Sequence, residues 1–220
     1  RQNTWTSNEL TPTTASWFSD PAPGISSQMV IGMESDRPVY TLSVVLKNIS
    51  ERAQSVPVKL TASWKRGDEI AGNYNLLEAV LLTEKTTPWQ RTHLTYRAGT
   101  TQVRNVPRGT SLITLSERFF CQSIKLGADR PVSATLVPAA KGEIAVLAES
   151  VVDVEPNSSA KYGATIYVGP RDFFQLRDAG FEQAFATGLL AKIGLFLMFL
   201  LKLIASAVRN YGTAIIILAA

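Results

Sequence analysis

Only one cysteine, Cys121, and one histidine, His93, occur in 220 residues. The single thiol excludes an internal disulfide and any multi-thiol metal site, and a lone cysteine of this kind is expected to be buried and inert. His93, in "RTHLTY", has no Ser/His/Asp set built around it. A Gly-rich phosphate loop and a metal-ligand cluster are also missing. The sequence therefore leads to the expectation of no catalytic residue, no cofactor and no metal. Asp153 and Glu155 fall on one face if "VVDVEP" is a strand, as a glycosidase pair would. Two acids beside a proline turn read more simply as a solvated rim. Asn48-Ile49-Ser50 and Asn157-Ser158-Ser159 match only the short glycosylation pattern.

Acidic residues are missing from the end of the chain. Residues 183–220 hold Lys192, Lys202 and Arg209 and no Asp or Glu, a net of +3, and this leaves +1 of the total +4 for residues 1–182. The basic excess thus belongs to the greasiest part of the chain, which points to lipid headgroups and away from nucleic acid. The start, Arg1-Gln2-Asn3, has neither Met nor a basic-then-apolar leader, so a signal sequence or an amino-terminal anchor is expected to precede it.

What the chain has in quantity is alternation. "VKLTASW" (58–64) and "VSATLV" (132–137) place apolar residues at every second position. Further strands are expected at 40–46, 76–82, 111–115, 119–124, 144–152 and 164–168, with turns at Arg66-Gly67-Asp68 and Glu155-Pro156-Asn157. Many short strands without intervening amphipathic helices make the chain mainly β, a sandwich. Residues 1–38, rich in Thr, Ser and Pro, read mostly as loop or edge strand. After Gly169-Pro170 the period changes to 3.6, and a short helix carrying Phe174, Phe181 and Phe185 is expected.

Residues 189–209 admit two readings. A transmembrane helix fits the length but puts Lys202 well inside the span, at a cost of about 2–3 kcal/mol. At 100° per residue, Lys192, Lys202, Ser206 and Arg209 fall within an arc of about 100°. Ile193, Leu197, Leu200, Ile204 and Val208 lie opposite, the pattern of a helix in a membrane interface. The pattern breaks at Asn210-Tyr211-Gly212, and the eight residues that follow are too few to span alone.

"KYGATIYVGPRDFFQL", followed by "LLAKIGLFLMFLLKLIASAVRNYGTAIII", resembles the junction in the bacterial YidC membrane protein insertases, and "SERFFCQSI" (116–124) is similar, more distantly, to a strand of the same family's periplasmic domain. The motif residues are Tyr167, Val168, Gly169, Pro170 and Arg171, with Asn210, Tyr211 and Gly212. The resemblance implies a periplasmic β-supersandwich over 1–169, a linker helix over 170–187, an amphipathic interfacial helix over 188–210 and the start of a transmembrane helix over 211–220. Lys192, Leu197, Leu200, Lys202, Ile204 and Arg209 would be its membrane-interface residues. It further implies a non-enzymatic insertase and chaperone of inner-membrane proteins, multi-pass in full, with residues 1–187 in the periplasm. Its partners would be the lipid bilayer, nascent membrane proteins and the Sec translocon. The family's amino-terminal membrane helix and its groove arginine would lie outside these residues.

The family's periplasmic domain itself resembles sugar-mutarotase folds. That supports a second reading, a periplasmic carbohydrate-binding or mutarotase-like β-sandwich with a membrane anchor, in which Trp64 and Trp89 are stacking candidates. A third reading, a tail-anchored structural protein, needs a complete final span.

Overall fold

The computed structural model describes residues 6–10, 14–65, 77–83, 92–96, 109–127, 132–137, 143–185 and 189–219. They fall into two compact units, Arg1–Ala184 and Phe185–Ala220. The first is mainly β, the class its alternation implies. Its described strands are β1 Thr6–Leu10, β2 Thr14–Ala22, β3 Ile25–Met33, β4 Val39–Asn48, β5 Gln54–Lys65, β6 Leu77–Thr83, β7 Thr92–Tyr96, β8 Thr110–Ser116, β9 Phe120–Leu126, β10 Ser133–Val137, β11 Glu143–Val154 and β12 Ser159–Pro170. Residues 1–38, which read mostly as loop or edge strand, hold three strands, β1 to β3, with β1 at the edge of its sheet. β3 is the instructive one: "ISSQMVIGM" interleaves Ser and Gln with apolar residues, a half-buried strand whose alternation is easily taken for loop polarity.

Every pairing is antiparallel. Nine strands form one sheet in the order β1-β2-β3-β4-β12-β9-β8-β6-β7, and three form another, β10-β11-β5. The narrow sheet packs on one face of the wide one. Leu42, Ile113, Leu115, Ile124, Leu126 and Ala164 from the wide sheet close against Ala62, Ala134, Ile144, Val146 and Ala148 from the narrow one. A second apolar cluster, Ile25, Leu46, Val56, Val152, Val154 and Tyr162, extends the seam. Burial at roughly 25 cal/mol per Å² of apolar surface makes this seam the main source of stability.

The strand-to-helix corner after β12 is built by the Tyr167-to-Arg171 motif. Tyr167 is buried on the face of the wide sheet away from the narrow one, and its hydroxyl donates to the Pro170 carbonyl at 2.8 Å. A Cβ at Gly169 would lie 2.9 Å from that hydroxyl, so the position has to be glycine for the ring to fold back. The Asp172 carboxylate accepts from Phe174 N and Gln175 N and opens α1, Phe173–Asp178. A 3-10 turn at Glu182–Ala184 follows, preceded by Phe181, whose ring centre lies 5.9 Å from that of Tyr167.

The second unit consists of α2, Leu189–Val208, and α3, Tyr211–Ala219. Arg209 adopts φ +52°, which ends α2. The Asn210 side chain then accepts from Thr213 N at 3.2 Å and caps α3. At nine residues α3 is about 14 Å long, against about 30 Å of hydrocarbon. No helix among the described residues is long and apolar enough to cross a membrane.

The corner carries a pH signature. Burial pushes the Tyr167 phenol up to about 12, reinforced by the neighbouring Cys121 and Asp172. Burial likewise pushes the Cys121 thiol up to about 11, against the opposing effects of its Ser123 hydrogen bond and of Arg171. The fold keeps both protons at pH values where the unfolded chain releases them, so stability is complete below the ordinary thiol value and is lost as pH rises from about 9 through about 12. The urea midpoint should fall across that window, and Tyr167→Phe combined with Cys121→Ala should flatten the fall. A fall of equal size in the double variant would contradict burial of these two groups as its cause.

Candidate ligand face

The narrow sheet covers one face of the wide sheet, and the opposite face is open over β3, β4, β12 and β9. Strand alternation decides what it presents. Lys125, Thr165, Thr41 and Gly32 stand in one cross-strand row over β9, β12, β4 and β3. Gly163, Ser43 and Val30 form the next row, and Lys161, Val45 and Gln28 the one after, with Lys47 paired to Ser26 beyond. Lys47, Thr41, Lys125 and Lys161 are exposed, and Gln28, Ser43 and Thr165 are half-buried. Gly32 leaves room for its neighbour, since a Cβ there would sit 2.9 Å from Thr41 Oγ1.

Toward β8 the same face becomes covered. Thr114, Ser123, Cys121 and Tyr167 are all buried there, with the Thr114 and Ser123 hydroxyls 3.0 Å apart. The backbone register carries this row on to the far edge of the sheet: Tyr167 pairs Ser123, Ser123 pairs Thr114, Thr114 pairs Val80 and Val80 pairs His93. Glu78 pairs Thr95 and Ser116, two positions along. Among the described residues no group of His, Cys, Asp and Glu stands close enough to hold a metal ion.

The other residues singled out in the sequence have ordinary places. Asp153 accepts a hydrogen bond from Ser55 Oγ at 2.5 Å on the exposed face of the narrow sheet, and Glu155 lies past the strand end in the turn that Ser158 closes. Trp64 is half-buried and packs against the core between the sheets. Trp89 and the side chain of Lys192 lie outside the described residues. Asn48 is fully buried and its amide donates to the Arg52 and Val154 carbonyls, so it cannot carry a glycan.

In α2, Leu197 and Lys202 are exposed, as is Arg209 just past its end, while Leu200 and Ile204 are half-buried. The basic arc is not free of apolar residues: Phe199, 54 % exposed, falls within about 20° of Ser206. Gly212 is fitted to the cap, as a Cβ there would lie 3.2 Å from Asn210 Oδ1. The signal missed in the sequence was the sign of the charges on the wide sheet, because Lys47, Lys125 and Lys161 meet only through strand register.

No protein-family model and no curated protein sequence matches the chain. Solved structures do. A galactose mutarotase related enzyme from Lactobacillus acidophilus aligns with a TM-score of 0.55 at 8% identity, over 74% of this chain and 70% of that one. A galactose mutarotase-like protein from Lactobacillus casei gives 0.53 at 6% identity, over 74% and 72%. A protein assigned as an aldose 1-epimerase from Klebsiella pneumoniae gives 0.52 at 14% identity, over 80% of this chain and 56% of that one.

These likenesses correct the expectations that rested on the insertase resemblance. These neighbours are mutarotase-like and epimerase structures, so membership of the insertase family and the insertion and chaperoning of membrane proteins are set aside. The expectation of no enzymatic role falls with them, since the neighbours are named as enzymes. Multi-pass residence in a bacterial inner membrane is set aside on the same neighbours and on the lack of a crossing helix among the described residues. The chain has the galactose mutarotase-like fold.

Proposed function

We propose that this chain handles carbohydrate on the open face of its wide sheet and interconverts the anomers of an aldose. The observation that carries the reading is the mutarotase-like fold, joined to a backbone register in which β6 and β7 pair at Glu78–Thr95 and Val80–His93. Mutarotation needs a base to take the proton of the anomeric hydroxyl and an acid to protonate the ring oxygen. The bond between the anomeric carbon and the ring oxygen then breaks, an aldehyde forms, and reclosure from its other face returns both protons. His93 and Glu78 stand at diagonal positions of β7 and β6, about 7–8 Å apart in backbone terms, and are assigned the two proton transfers. Polarimetry on freshly dissolved α-D-galactose is the test. The full chain should speed equilibration above the spontaneous rate, and His93→Ala or Glu78→Gln should each cost about a hundredfold or more. Equilibration at the spontaneous rate with the intact chain would refute the proposal.

A second element of the reading concerns the helical unit, whose proposed partner is a lipid surface. Ile193, Phe196, Leu197, Phe199, Leu203, Ile215, Ile216 and Ile217 are exposed, and residues 183–220 supply three cations and no acid. Contiguous exposed apolar surface of this kind, with one sign of charge, suits an interfacial helix on anionic lipid. In sedimentation with phosphatidylglycerol vesicles, Leu197→Glu should release the chain strongly and Lys202→Gln only slightly. Equal effects of the two substitutions would count against insertion of the apolar face.

A further inference from the structure

The four adjoining strands β3, β4, β12 and β9 contain no Asp or Glu, and their whole complement of charge is three lysines, Lys47, Lys125 and Lys161. All three emerge on the open face, and each is exposed without an ion-pair partner among the described residues. The opposite face of these strands is the apolar core, so their charge can stand only on this one; what is particular is that no acid accompanies it. The exposed face of the narrow sheet shows the ordinary alternative: Lys59 there pairs with Glu149 at 2.7 Å, and Glu143 and Asp153 lie on the same strand, β11.

Strand geometry gives the spacing. Lys47 and Lys161 are diagonal neighbours about 8 Å apart at Cα, and Lys125 is about 14 Å from Lys161. The ground between them carries the hydroxyls and amide of Ser43, Thr41, Thr165 and Gln28, with the half-buried Val30, Val45 and Gly163 among them. A surface of hydrogen-bonding groups edged by cations at these separations matches a ligand that repeats hydroxyls and carries a negative charge at intervals. Electrostatic complementarity over a face with one sign of charge also selects against cationic ligands.

Resting on the carbohydrate reading above, we infer that the saccharide bound by this face is acidic: an oligosaccharide of uronate units whose carboxylates meet Lys47, Lys125 and Lys161 while its hydroxyls meet Thr41, Ser43 and Thr165. The acidic units lie across β9, β12 and β4, on the part of the face that stays exposed.

The test is calorimetric binding of the full chain to a defined oligogalacturonate and to the same oligosaccharide with its carboxylates methyl-esterified, which removes the charge and keeps the sugar. The acidic form should bind at least about tenfold more tightly, with an advantage that shrinks as salt rises. Lys47→Gln, Lys125→Gln and Lys161→Gln together should abolish that advantage, while Lys59→Gln and Lys65→Gln on β5 should leave it unchanged. Equal binding of the two forms would overturn the acidic assignment and leave the carbohydrate reading standing. Binding of neither would also overturn the assignment, and polarimetry would judge the carbohydrate reading separately. An equal loss of phosphatidylglycerol vesicle binding in the triple variant would overturn it in favour of a lipid surface.

Discussion

The narrow sheet can bury the wide sheet on one face only. Its apolar side, centred on Leu42, Ile113, Leu115, Ile124 and Ala164, is closed by the small and β-branched residues of the narrow sheet, Ala62, Ala134, Val146 and Ala148. Three strands cannot cover both sides of nine. Where it is uncovered the remaining face must therefore be soluble in itself, and over β3, β4, β12 and β9 it meets that demand with threonine, serine, glutamine and lysine set among two half-buried valines, Val30 and Val45. A folding constraint thus produces a broad polar platform, and a platform of that composition is chemically suited to a hydroxylated ligand.

The end of the platform shows how the fold limits it. Near β8 the same face turns inward, with Thr114 bonded to Ser123 and the Tyr167 ring against Phe181. The corner after β12 depends on Tyr167 reaching over Gly169 to the Pro170 carbonyl, which closes the platform on one side and starts α1 through the Asp172 cap. Polar groups on this face are thus of two kinds: those committed to each other inside the cover, and those left facing outward.

The strands legible in the sequence were the half-buried ones with strict alternation. Residues 58–64 and 132–137 lie in β5 and β10, where every second side chain enters the core. β7 was missed because five residues, "THLTY", give too little period to read. The resemblance built on Tyr167 to Arg171 with Asn210 to Gly212 misled for a physical reason. Both pieces are local fittings, a ring folded over a glycine and a capped helix start, and sterics can demand them wherever a strand or helix ends in that way. The lysine face was illegible for the opposite reason: its three cations are far apart in sequence and meet only when β9, β12 and β4 pair in register. Neither the pairing of β12 with both β4 and β9 nor the cover on one side alone can be read from local pattern.

The central claim is that ligand meets the uncovered face of the wide sheet, and amide chemical-shift mapping of the isotopically labelled full chain tests it most directly. On titration with a galactose-containing oligosaccharide, the account predicts that the amides moving most belong to Thr41, Ser43, Lys125, Lys161 and Thr165, with Thr61, Leu147 and Glu149 of the narrow sheet unmoved. Shifts concentrated on the narrow sheet, or none on either, would contradict it.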